Sequence, residues 1–123
     1  MAKILIVDDD KETTNLLERL VTMKGHLPTS VNNSVNAVET AHSLQPDIIL
    51  MDILMPEING IQLCKIFKAI PELKKIPIII VSALNDAGSQ RDTLNAGASD
   101  FLSKPVNPDA LAEKIMSLVD AAL

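Results

Sequence analysis

The sequence predicts an α/β fold, a doubly wound five-stranded parallel sheet. Three observations carry that expectation. Apolar runs of four residues, Ile4–Val7, Ile48–Met51 and Ile78–Val81, each end at a polar residue. Such runs, bounded by turn signals, suit strands buried on both faces, as in parallel sheets. Strand-like and helix-like stretches alternate five times along the chain, which is the pattern of a parallel sheet with crossover helices. The length of 123 residues, without linker, repeat or low-complexity stretch, suits one domain spanning residues 1–123.

The elements follow in order. After the first strand, Leu16, Leu17, Leu20 and Val21 form a helical stripe that stops near Gly25. Leu27 to Val31 is a weak strand, and Pro28 marks it as an edge. Ser34 is expected to cap a helix carrying Val35, Val38 and Ala41. The strand ending at Asp52 comes next, then a loop, Ile53 to Asn59, and a helix with Leu63, Cys64, Phe67 and Ile70 on its inner face. After Ile78–Val81, the segment Asp86 to Ala96 has Leu94 as its one large apolar residue and is expected to be poorly anchored. Phe101 and Leu102 lie in a short fifth strand. Asn107 and Pro108 are a cap and first-turn pair for a last helix, with Leu111, Ile115, Leu118 and Val119 inward.

The three strongly apolar strands belong in the centre and the two weak ones at the edges. Right-handed crossovers then give the order 2-1-3-4-5, a flavodoxin-like three-layer sandwich. Strands one and three become neighbours at the switch point, where such sheets bind ligands. Asp8, Asp9 and Asp10 follow strand one, Asp52 strand three, Ser82 ends strand four and Lys104 follows strand five. All reach one crevice. Clustered carboxylates repel one another and call for a cation, so the pattern points to a metal-dependent site that handles an anionic group. Asp10 is better explained as the cap of the first helix.

Composition excludes other classes. The net charge is −5, with 16 acids against 11 bases, which speaks against binding nucleic acid, where a basic face is needed. No Trp or Tyr and two Phe leave no aromatic platform for bases. The single Cys64 precludes an internal disulfide and suits a reducing compartment. No apolar run reaches transmembrane length. The expectation is a cytoplasmic protein with no membrane or nucleic-acid partner. Cys64 reads as a buried helix residue, His26 and His42 as lying outside the site, and the five Met residues as packing.

With these residues in place the chain resembles the receiver domain of two-component response regulators over essentially its whole length. Asp8-Asp9, Asp52, Met55-Pro56 with Gly60 beyond, Ser82-Ala83, Ala96-Gly97-Ala98 before Phe101, and Lys104-Pro105 carry the resemblance. It implies that Asp52 accepts a phosphoryl group from a phosphohistidine on a sensor histidine kinase or histidine phosphotransfer protein. It implies that Asp9 ligates Mg²⁺ directly, that Asp8 acts through water, and that Asp52 and the Leu54 backbone carbonyl complete the protein ligands, with Mn²⁺ able to take the place of Mg²⁺. Ser82 is then the hydroxyl that meets the phosphoryl group, Lys104 the cation that pairs with the acceptor, and Phe101 the aromatic switch residue. The Lys104-Pro105 peptide is expected to be cis, a bond essentially confined to proline.

The chemistry agrees with these roles. Phosphoryl transfer needs charge neutralisation and alignment more than covalent help, and Mg²⁺ is satisfied by two carboxylates, a carbonyl and waters. Ser82 moving toward a phosphoryl group vacates space that Phe101 can fill, a local charge event biasing a packing element. The chain is then no turnover enzyme: it catalyses transfer onto its own Asp52. The rival is a Mg²⁺-dependent phosphohydrolase, since Asp8-x-Asp10 also resembles the haloacid-dehalogenase type, with Asp8 as nucleophile; Lys11-Glu12 and the lack of a later acidic pair speak against it. A phosphate-independent adaptor would lack the acceptor, acid pair or lysine. The chain reads as a stand-alone receiver or one cut from a larger protein, and its downstream partner is unnamed. Leu54 and Leu84, two residues beyond the acceptor and the hydroxyl, flank the expected approach of hydrolytic water and cannot orient it. That combination predicts a long-lived aspartyl-phosphate.

Overall fold

The computed structural model describes residues 1–121. Strands β1 (Lys3–Val7), β2 (Leu27–Val31), β3 (Ile48–Met51), β4 (Ile78–Ser82) and β5 (Asp100–Ser103) alternate with helices α1 (Lys11–Met23), α2 (Ala37–Leu44), α3 (Gly60–Ala69), α4 (Ala87–Asn95) and α5 (Pro108–Ala121). All strand pairs are parallel, and the order is β2-β1-β3-β4-β5. The apolar runs occupy the three central positions, as their continuous hydrophobicity requires.

Alternation along each strand feeds two cores. Leu5, Val7, Ile49, Met51, Ile78 and Ile80 pack with α2 and α3 through Ala37, Ala41, Leu63, Cys64 and Phe67. Ile4, Ile6, Ile48, Leu50, Ile79 and Val81 face α1 and α5 through Leu17, Val21, Leu111 and Ile115. Each fully buried aliphatic side chain contributes about 1.5–3 kcal/mol, so the central strands hold the domain together. α1 stops as expected: Gly25 adopts φ 85 just beyond it, a conformation that costs glycine little.

Four local expectations are corrected. Leu16 is exposed rather than part of the α1 core stripe; residues 17 and 21 are a full turn apart and point to the sheet, whereas position 16 is rotated away from them. Ser34 does not cap a helix: Asn33 accepts the Val35 N–H at 3.0 Å, at the head of a 3₁₀ turn over Ser34–Asn36 that leads into α2. Val35, on that turn, is exposed. Of the five Met residues, Met51 and Met55 are buried, while Met1, Met23 and Met116 are exposed. The weak anchoring of α4 goes further than the sequence suggested. Leu94 is 48% exposed, and α4 reaches the interior through Thr93 and the adjoining Ala96.

Candidate functional site

Parallel register builds the site. Val7 is level with Met51, so the residues that follow, Asp8 and Asp52, leave the sheet side by side. Their backbones extend the ladder by one step: the Asp52 N–H donates to Val7 O at 3.1 Å and the Asp8 N–H to Val31 O at 3.2 Å. On the other flank Ser82 is level with Ser103, and the Lys104 N–H donates to Ser82 O at 3.0 Å. Lys104 therefore turns back over the sheet edge, and its peptide to Pro105 is cis.

The lysine spans the cluster. Its Nζ lies 3.0 Å from Asp8 Oδ2 and 3.0 Å from Asp52 Oδ2. The second oxygens are held by backbone: Asp8 Oδ1 accepts the Asp10 N–H at 2.9 Å, and Asp52 Oδ1 accepts the Ile53 N–H at 2.7 Å. Asp8 and Asp52 are buried, whereas Asp9 is exposed. Burial pushes the Asp8 carboxyl above the ordinary aspartate range, opposed by the Asp10 N–H and by Lys104. Burial also disfavours the Lys104 charge, but its bonds to Asp8 and Asp52 outweigh that and hold the ammonium above an ordinary lysine. One cation among three carboxylates leaves the cluster negative.

Asp8, Asp9 and Asp52 each place a carboxylate oxygen within 4.8 Å of the others, the one such grouping among the described residues. The donor set suits a hard divalent cation: it is all oxygen, with no His or Cys in it, and Mg²⁺ takes few carboxylates because it keeps several waters. The residues present thus fit the metal that the sequence pattern requires.

Ser82 is fully buried, and its Oγ accepts the Leu84 N–H at 3.2 Å, which leaves its hydroxyl proton free to be donated. Ile80 is level with Phe101. Ser82, two residues on, shares the face of Ile80 and so lies diagonal to the half-buried Phe101 ring, which packs against the core on the α3 side. Leu54 and Leu84 are 59% and 36% exposed. Asp10 caps α1, accepting the Glu12 N–H at 3.1 Å and the Thr13 hydroxyl at 2.8 Å. His26 is engaged elsewhere, its Nδ1 accepting the Ala2 N–H at 3.1 Å.

Gly60 has a part that sequence reasoning did not assign. A Cβ there would lie 2.2 Å from the carbonyl oxygen of Asp52. The Gly60 N–H meanwhile donates to Ile53 O at 2.8 Å and closes the β3–α3 loop. The start of α3 is thus pressed against the peptide of the candidate acceptor, as only glycine permits. The one sequence signal was its place in the family pattern.

Comparison with known proteins agrees with this geometry. The family model of the response regulator receiver domain matches residues 4–116. The response regulator PleD of Caulobacter vibrioides is 35% identical over 117 residues, covering 95% of this chain; the chain spans 26% of PleD's own length. The protein PilH of Pseudomonas aeruginosa is 34% identical over 119 residues, covering 97% of this chain and 98% of PilH. The receiver domain of the sensor histidine kinase PA1611 from Pseudomonas aeruginosa superposes with a TM-score of 0.89 at 27% identity, covering 97% of this chain and 98% of that one; its structure has a magnesium ion coordinated in the active site cleft. With five parallel strands in the order 2-1-3-4-5 and an acidic cluster spanned by lysine at the switch point, the chain belongs to the response regulator receiver domain family, the phosphoacceptor modules of two-component signalling.

Proposed function

We propose that Asp52 is the phosphoacceptor of this chain and that Asp8, Asp9, Asp52 and the Leu54 carbonyl hold Mg²⁺, or Mn²⁺ in its place. The observation that carries this reading is the position of Lys104, 3.0 Å from both Asp8 and Asp52. A phosphoryl group arriving at Asp52 meets a cation already in place. The metal, when bound, neutralises charge on the phosphoryl oxygens. The chain supplies the remainder. Asp52 presents Oδ2 as nucleophile while the Ile53 N–H holds Oδ1. The P–N bond of the donor phosphohistidine breaks as the Asp52 O–P bond forms. Lys104 stays beside the developing charge, and such fixed groups need no reorganisation at the moment of reaction. Ser82 then turns its free proton to the phosphoryl oxygens, and Phe101 moves into the space vacated. Asp8 and Asp52 are held alike, each by one backbone N–H and by Lys104, so the choice of Asp52 over Asp8 as nucleophile rests on the receiver-domain family match.

The donor is a histidine kinase or histidine phosphotransfer protein, and the output is a surface presented to a downstream protein. We place the protein in the cytoplasm, the usual location of the family. No helix among the described residues is long and apolar enough to cross a membrane. Incubation with phosphoramidate and Mg²⁺ is expected to add one phosphoryl mass, and Asp52→Asn to abolish it. Retention of the added mass in Asp52→Asn with loss in Asp8→Asn would overturn the assignment in favour of the hydrolase-like chemistry. Catalytic turnover of a phosphomonoester by the wild type would do the same.

A further inference from the structure

The loop that leaves the edge strand β2 reaches both sides of the acidic cluster. Asn32 Nδ2 donates to the Asp8 carbonyl at 2.9 Å and to Thr14 Oγ1 at 3.1 Å. Thr14 is buried, and its own hydroxyl donates to Lys11 O at 3.1 Å. One amide therefore ties the end of β1 to the first turn of α1, across the segment that carries Asp8 and Asp9. Two residues further on, the buried Ser34 hydroxyl donates to Pro56 O at 3.0 Å. Pro56 lies in the β3–α3 loop, two residues beyond Leu54, and its carbonyl also accepts the Ile58 N–H at 2.8 Å. The two loops meet in a polar cleft lined by Asn32, Asn33, Ser34, Pro56 and Glu57. Because Asn33 does the capping of the 3₁₀ turn, the Ser34 hydroxyl is free for this contact.

We propose that Asn32 and Ser34 are positioning residues for the metal and phosphoryl site. Asn32 fixes the backbone from which Asp8 and Asp9 project, and Ser34 sets the pitch of the loop that presents the Leu54 carbonyl. Each acts through another residue, and neither touches the metal or the phosphoryl group. The edge strand β2 contributes no ligand, yet its outgoing loop fixes the spacing between the ligands from β1 and those from β3. Metal sites are sensitive to such support: loss of a group that orients a ligand typically costs roughly 10–100-fold in affinity. The inference rests on the assignment of Asp8, Asp9 and Leu54 as the metal-binding groups.

The test compares Asn32→Ala, Ser34→Ala and Asn33→Ala. Asn33→Ala removes a hydrogen bond from the same loop, but one that reaches neither side of the cluster. Mg²⁺ alone is titrated by calorimetry, and each variant's melting temperature is recorded without metal. Asn32→Ala and Ser34→Ala are expected to weaken Mg²⁺ by about tenfold, the low end of that range, while Asn33→Ala lowers the melting temperature comparably and leaves the affinity within about twofold of wild type. Ser34→Thr, which keeps the hydroxyl, is expected to recover most of the loss. Wild-type affinity in both Asn32→Ala and Ser34→Ala would overturn the proposal and leave the functional assignment intact. So would an affinity loss in all three variants that simply follows melting temperature. A wild-type protein that neither binds Mg²⁺ nor gains phosphoryl mass would overturn the functional assignment, and the positioning role with it.

Discussion

Replacing Gly60 by alanine tests the contact that holds the candidate acceptor in place. The added Cβ would lie 2.2 Å from Asp52 O, 2.9 Å from Asp52 C and 2.9 Å from Ile53 Cα. All three are backbone atoms, so no side chain can swing aside. Restoring an ordinary contact of 3.4 Å to that oxygen means a displacement of about 1.2 Å. It falls on the peptide between Asp52 and Ile53, whose N–H also holds Asp52 Oδ1. Catalytic groups work within roughly 0.5 Å of their productive positions, and a misplacement of about 1 Å can cost on the order of 100-fold in rate. Gly60→Ala is therefore expected to slow phosphorylation by phosphoramidate by about two orders of magnitude. Overpacking costs typically about 1–3 kcal/mol. Gly60 opens α3 rather than lying inside it, so the helix-interior advantage of alanine does not offset this, and the loss stays at about 1–3 kcal/mol. For a domain of this size that lowers the melting temperature by roughly 3–15 °C. Gly88→Ala is the control: its Cβ would meet the end of the exposed Asp86 side chain at 3.2 Å and Arg91 at 3.8 Å, with no backbone atom in the way. It should leave the rate unchanged and shift the melting temperature far less than Gly60→Ala. The assays are intact mass against time and thermal melting followed by circular dichroism. A Gly60→Ala protein with wild-type rate and melting temperature would refute the reasoning.

The other predictions concern the signal and the fold. Lys104→Ala is expected to accept phosphate more slowly and to lose the response of the segment Asp86 to Phe101, read as amide exchange with and without phosphate; a wild-type response would remove Lys104 from the switch. Leu54→Asn combined with Leu84→Glu is expected to shed phosphate about tenfold faster, equivalent to roughly 1.4 kcal/mol of barrier, once donor is withdrawn; an unchanged rate would mean these side chains do not control water. His26 gives a pH signature outside the site. Burial, then the charge of the N-terminus, lowers its pKa below the ordinary value of 6.5, and protonation of Nδ1 breaks its bond from Ala2. The neutral form is favoured in the fold, so this stability is present above about pH 6.5 and is lost as pH falls below it. The melting temperature of His26→Gln should fall less between pH 7 and pH 5 than that of wild type.

Much of this was legible in the chain because burial on both faces leaves a mark that needs no long-range information. Ile4–Val7, Ile48–Met51 and Ile78–Val81 are continuous runs, and only the middle of a parallel sheet hides both sides of a strand. Parallel strands end on one edge, so Asp8, Asp52 and Ser82, each at the end of its run, had to converge. Asp8, Asp9, Asp52, Ser82 and Lys104 could therefore be gathered into one crevice before any coordinates, while their roles as candidate acceptor, metal pair, hydroxyl and cation came from the resemblance to receiver domains. Leu94 was legible as well, since a helix with one large apolar residue has little to bury.

Other features depend on which segments cross and how closely. Ser34 and Asn33 are both good capping residues; Asn33 caps the 3₁₀ turn, and the Ser34 hydroxyl bonds instead to Pro56 O, 22 residues away in sequence, a contact no local pattern displays. Leu16 belongs to an apolar cluster in sequence, but the orientation of α1 on the sheet left room for Leu17 and Val21. Nothing local says that Gly60 lies against the Asp52 carbonyl, or that Lys104 sits equally near two aspartates. By itself the sequence determined the strands, their common edge and the residue types gathered there, because hydrophobic burial is a property of each segment's own pattern. Tertiary structure alone decided the distances, hydrogen-bond partners and close approaches, because those are set by the packing of one segment against another far from it in the chain.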